Sequence, residues 1–98
     1  MYIGKVGVNR FMGIFYILQS DKTGRYYVGC TRNLVQRLFD HNQGKTKSLL
    51  GHIPLKVVFF KKFGTFIEAR RMELKIKSFK SRKIIENIIR DQEIKMGR

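Results

Sequence analysis

Residues 12–19 (MGIFYILQ) form an apolar run of strand length, rich in β-branched and aromatic side chains, and its lack of polar alternation predicts a strand buried on both faces. Ser20, Asp21, Lys22, Thr23 and Gly24 then supply turn chemistry, after which residues 25–30 (RYYVGC) resume strand character. The two runs therefore predict an antiparallel hairpin with a loop of about five residues. Thr31 or Asn33 can cap the helix that follows, Leu34, Val35 and Leu38 supply its apolar stripe, and Gly44 ends it. Residues 45–54 (KTKSLLGHIP) mix Gly, Pro and lysines and predict an irregular crossing loop.

Residues 55–63 (LKVVFFKKF) predict a third strand with Val57, Val58, Phe59 and Phe60 as its buried middle. Thr65 can cap a second helix, in which Ala69, Met72, Ile76 and Phe79 recur at the spacing of one core-facing stripe and Glu73 falls beside it, at the core edge. Ser81 can cap a third helix with Ile84, Ile85, Ile88 and Ile89 as its buried face. The order is β-β-α-β-α-α, an α/β chain of the α+β kind. Residues 1–11 read as an irregular lead-in, 12–90 as one compact domain, and 91–98 as a polar tail that frays.

At 98 residues there is room for one modest core, and eight Phe with no Trp predict one built from Phe, Ile and Leu. Charge changes the picture: 21 Lys and Arg against 7 Asp and Glu leave a net charge of +14. Such an excess favours a polyanionic partner, with nucleic acid ahead of a membrane surface because no long amphipathic basic helix stands out. The single cysteine, Cys30, cannot form an internal disulfide, which fits a reducing compartment, with the cytoplasm as the expectation. No run approaches the roughly 18 apolar residues of a membrane span, and the first residues lack the pattern of a signal peptide.

Reactive side chains concentrate between Tyr16 and His41. Arg37 and His41, four apart on a helix, share a face. Strand alternation can bring Tyr16 and Tyr27 to one side of a sheet while Tyr26 points to the other. Each has an ordinary reading as well: strand tyrosines pack, a helix arginine is solvated, and a helix-end histidine meets the negative dipole end. Glu73 could pair with Arg70 or Lys77 at helical spacing. Between Lys61 and Lys83, however, nine basic residues face only Glu68 and Glu73, so a core-edge acid is conspicuous.

Taken in order, Ile14-Phe15-Tyr16, Tyr27-Val28-Gly29, Arg37, His41 and Glu73 resemble the GIY-YIG nuclease superfamily, and within it the small single-domain members related to the nuclease domain of the excinuclease C subunit. The likeness runs from about residue 13 to 89. It implies a small three-stranded antiparallel sheet flanked by three helices and cleavage of DNA phosphodiesters with Mg²⁺ or Mn²⁺, in repair or in processing of non-standard DNA structures. By the same likeness, Glu73 would hold the metal and Arg37 the phosphate charge. One of Tyr16 and Tyr27, Tyr16 by preference, would accept the proton of the attacking water, and His41 would bond the phosphate or relay a proton. Gly29 permits close approach, and Asn87 falls where many members carry an asparagine near the site. Some members place a lysine where this chain has Cys30, and Tyr2-Ile3-Gly4 repeats the second triplet ahead of the first strand, a coincidence.

Lys45, Lys47, Lys75, Lys77, Lys80, Arg82 and Lys83 read as phosphate contacts that add affinity without sequence choice, together with Thr46. DNA is expected ahead of RNA as partner, and a monomer ahead of an oligomer. His52 with one distant cysteine does not make a zinc site, which needs about four suitable ligands. The rival reading is a non-catalytic basic DNA- or RNA-binding protein on the same fold.

Overall fold

The computed structural model describes residues 11–95. Its elements are β1 (Gly13–Ser20), β2 (Tyr26–Thr31), α1 (Leu34–Asn42), a 3₁₀ helix (Lys47–His52), β3 (Leu55–Phe63), α2 (Phe66–Phe79) and α3 (Arg82–Asp91). The strands form one antiparallel sheet in the order β2-β1-β3, so the most apolar strand lies in the middle, covered on both faces. The expected lead-in, with Tyr2-Ile3-Gly4, lies outside the described residues up to residue 10, as do residues 96–98. Within the expected tail, α3 continues to Asp91 and Ile94 packs against the core, so its first residues are anchored.

Alternation along β1 splits the core in two. Phe15 and Ile17 meet Phe59, Ile76 and Ile88 beneath α2 and α3; Tyr16 and Leu18 meet Leu49 and Leu55 on the opposite face, with Leu34 and Leu38 of α1 packed alongside. Each fully buried side chain of this size contributes about 1.5–3 kcal/mol. The hairpin and all three helices stand where apolar spacing puts them. Asn33, rather than Thr31, caps α1, its Oδ1 accepting from the Gln36 amide at 3.0 Å. Thr65 forms a capping box with Glu68, and Ser81 accepts from the Ile84 amide at 3.2 Å.

Several expectations need correction. Residues 45–54 are not wholly irregular, because the 3₁₀ helix turns Leu49 into the core. Val35 is 81%, Phe60 53% and Phe79 43% exposed, so none belongs to the buried stripes predicted for them. For Phe60 the reason is topological: β3 is an edge strand, and its register against β1 shifts between Ile17 and Leu18, which pair with Phe59 and Val57 and leave Val58 as an extra residue. Phe59 and Val57 thereby serve opposite faces, and the run of four apolar residues cannot be buried together.

Candidate active site

The site is built around the free edge of β2. Tyr16 pairs in register with Gly29, and a side chain at Gly29 would collide with the Tyr16 ring and hydroxyl. The missing Cβ is what lets the Tyr16 ring lie across β2 toward its edge. There its hydroxyl is within hydrogen-bonding reach of the Arg37 guanidinium, presented by α1. Burial pushes the Tyr16 phenol above its ordinary value, and the opposing charge and hydrogen bond of Arg37 do not cancel this. Desolvation thus outweighs the neighbouring cation, and Tyr16 holds its proton at neutral pH.

From the other face, α2 brings Glu73 to the same edge. Glu73 is 5% exposed, and its carboxylate is enclosed by donors. Arg70 Nη1 donates to Oε1 at 2.7 Å, Lys77 Nζ donates to Oε2 at 2.6 Å, and the Cys30 thiol donates to Oε1 at 3.1 Å. Burial alone would raise the Glu73 carboxyl, but the hydrogen bonds from Lys77, Cys30 and Arg70 outweigh it and keep the group ionised, below its ordinary value. Burial and the adjacent Glu73 push the Cys30 thiol up to about 11, so it is a protonated donor. Tyr16 also feels the charge of Glu73, so residues from opposite faces of the sheet interact around one strand.

His41 is 8% exposed at the end of α1, and its Nδ1 shares a 2.8 Å hydrogen bond with Thr46 Oγ1. Burial, then the Arg37 charge, lower its pKa, so the imidazole is neutral at pH 7. Tyr27 lies on the Tyr16 face, its ring 5.4 Å from that of His52, whose Nδ1 bonds Thr23 Oγ1 at 3.0 Å. The Tyr27 hydroxyl is buried and has no hydrogen-bond partner among the described residues, an arrangement that calls for an explanation in function or hydration. Tyr26 faces the other way and packs into the α2 side.

The structure thus brings Tyr16, Gly29, Arg37 and Glu73 together, with His41 within the field of Arg37 and Tyr27 on the same face. Asn87 lines a groove with Phe79, Ile84, Ile88 and Asp91 that shares no residue with the cavity along β2. Lys77, Lys80 and Arg82 border that cavity, while Lys75 and Lys83 are simply exposed. Lys45, also exposed, pairs with Asp40 at 3.3 Å, and Lys47 opens the 3₁₀ helix. Sequence reasoning put Thr46 among the phosphate contacts and did not foresee its hold on His41, the bond from Cys30 to Glu73, or the packing of His52 on Tyr27. The local pairing of Glu73 with Arg70 and Lys77, read as the ordinary alternative, is present. Glu68, the other acid, is accounted for by the α2 cap.

The donor set fits a divalent cation of one kind only. Among the described residues there is no group of three or more His, Cys, Asp or Glu that could cage a metal. Glu73 offers one ionised carboxylate whose Oε2 receives a hydrogen bond from the half-exposed Lys77. That suits an ion such as Mg²⁺, which keeps several waters and takes further oxygens from a phosphate.

The family model for the GIY-YIG catalytic domain matches residues 12–85. A UPF0213 protein of Listeria innocua is 34% identical over 80 residues, covering 81% of this chain and 87% of that one. A UPF0213 protein of Bacillus licheniformis is 37% identical over 79 residues, covering 80% of this chain and 79% of that one. One from Photorhabdus laumondii is 37% identical over 65 residues, covering 65% of this chain and only 62% of that one's length. The solution NMR structure of a UPF0213 protein from Bacillus halodurans superposes with a TM-score of 0.51 at 30% identity, covering 80% of this chain and 82% of that one. No helix among the described residues is long and apolar enough to cross a membrane.

Proposed function

The chain belongs to the GIY-YIG catalytic domain family, among the small UPF0213 proteins, and from that premise we propose that it is a divalent-metal-dependent endonuclease acting on DNA. The observation that carries the proposal is the meeting of Tyr16 and Arg37 from one face with Glu73 from the other at the free edge of β2. A buried acid inside a chain of net charge +14 has no role in simple phosphate binding.

In this reading Glu73 holds Mg²⁺ or Mn²⁺, which supplies Lewis-acid stabilisation of charge at the phosphate. Arg37, exposed and charged, takes the non-bridging oxygens through its planar fork. Tyr16, a protonated phenol beside Arg37, orients the attacking water rather than acting as its final base. His41 is better suited to receive the proton, because burial leaves it unprotonated at neutral pH and the Thr46 bond fixes its ring. Tyr27 offers the buried hydroxyl that completes the water's surroundings. The exposed lysines and arginines hold the duplex by its phosphates, without sequence choice.

One observation favours the rival reading of a non-catalytic binder: both oxygens of Glu73 already sit in ion pairs. A cleavage screen separates the two. Duplex, nicked, branched and single-stranded DNA, with folded RNA in parallel, are incubated with Mg²⁺, Mn²⁺ or EDTA. Metal-dependent strand scission that Glu73→Gln abolishes, with DNA binding kept, is the expected result. Binding without scission of any substrate in either metal would leave the binder reading standing.

A further inference from the structure

A cavity of about 450 Å³ opens along the edge of β2 between that strand and the α2–α3 corner, in the range of small-ligand sites. Its floor is apolar, from Val28, Ile76 and Ile85. Its rim is cationic, from Arg25, Lys77, Lys80 and Arg82. A regular duplex presents phosphates to a protein surface and would use only the rim. An apolar floor inside a ring of cations matches a nucleotide whose base has left the stack, with the base below and its phosphate above.

Arg82 makes the match sharper. Its Cζ lies 4.6 Å from the centroid of the Tyr26 ring, its Nε donates to Glu86 at 2.9 Å, and its Nη2 reaches toward the Gly24 carbonyl at 3.5 Å. Contacts from β2, α3 and the β1–β2 turn thus hold one guanidinium at the mouth of the cavity. The side chain remains 58% exposed, so the plane is fixed while still open to a second stacking partner. The cavity also adjoins the candidate active site, since Lys77 lines it and bonds Glu73.

We propose that this cavity is a subsite for one unpaired nucleotide of a DNA strand next to the scissile phosphate, with the base stacked on Arg82 over an apolar floor. This rests on the DNA reading given above and names its substrate class: DNA with a single-stranded segment adjoining a duplex. The test uses the whole chain in EDTA, so that binding is measured without cleavage. The probes are a blunt duplex and the same duplex carrying a short single-stranded flap with 2-aminopurine as its first unpaired base. The flapped duplex is expected to bind about tenfold more tightly, with a change in 2-aminopurine fluorescence. Arg82→Gln should reduce that preference to about twofold or less, whereas Lys83→Gln, outside the cavity, should weaken both probes by the same factor. Tyr26→Leu, which removes the ring beneath Arg82, should act like Arg82→Gln; if that variant does not fold, as circular dichroism would show, Arg82→Gln carries the test alone. Equal binding of the two probes by the wild-type chain, or a preference that survives Arg82→Gln, overturns the subsite and leaves the DNA reading intact. Preference for an RNA flap over the DNA flap overturns the assignment to DNA. Failure to bind any DNA probe overturns the DNA reading itself, and the subsite with it.

Discussion

Gly29 and Tyr16 define the site between them, because one ring can cross the sheet edge only where its neighbour has no side chain. An alanine at Gly29 would overlap the Tyr16 ring and hydroxyl, and Tyr16, at 4% exposure, has little space to retreat. Gly29→Ala is therefore expected to cost about 1–3 kcal/mol, as overpacking does, with loss of cleavage. In a Tyr16→Ala background the same change should be nearly neutral, and urea unfolding of the four proteins reads this coupling directly. Deleting only the hydroxyls is a different experiment. Tyr16→Phe and Tyr27→Phe are each expected to lower turnover by roughly 10²–10⁴-fold. Their stabilities should diverge, since the Tyr27 hydroxyl is buried with no partner among the described residues and its removal breaks no bond there. A Tyr27→Phe protein less stable than wild type would show that this hydroxyl has a partner after all.

Along α2, Arg70, Glu73 and Lys77 stand three and four residues apart on one face, so an isolated helix would already favour their pairing. That much was legible in the sequence, as were the hairpin, the three helices and their caps, because apolar periodicity and capping chemistry are local. The position of Glu73 at the core edge was legible for the same reason. What could not be read was tertiary: the shifted register that exposes Phe60, the turn that buries Leu49, and the reach of Cys30 and Glu73 around the β2 edge. Asn87 fell where the likeness placed it in order, but α3 turns it into another groove. Competition on Glu73 follows from the geometry. A cation binding Oε2 has to contend with Lys77, so Lys77→Gln is expected to tighten Mn²⁺ binding by roughly tenfold, the scale of one hydrogen bond to a charged group. Electron paramagnetic resonance titration of free Mn²⁺ measures it, and unchanged affinity would place the ion elsewhere than Glu73.

A net charge of +14 on 98 residues favours a polyanionic partner and makes the fold sensitive to acid. If Lys77, Lys80 and Lys83 meet phosphates, the triple Gln variant should flatten the dependence of log K on log salt by up to about 0.9 per lost contact. An unchanged slope would remove them from the DNA face. Protonation adds charge to a molecule already self-repelling, and two buried groups set where that begins. His41, facing Arg37, Asp40 and Thr46, has its pKa lowered by burial from an ordinary value of 6.5. The unfolded chain therefore binds that proton more readily, and stability present above about pH 6.5 is lost as pH falls toward the folded-state value. Glu73 is held below its ordinary 4.5, so its contribution is present above that pH and lost further down, as the carboxylate takes a proton and releases Arg70 and Lys77. Thermal unfolding from pH 8 to pH 3 should thus show two successive losses of Tm. His41→Gln should remove the first and spare the second, while Glu73→Gln should do the reverse. A first loss that persists without His41 would mean that its imidazole is already solvated in the folded protein, and with it would go the neutral base on which the proposed proton transfer depends.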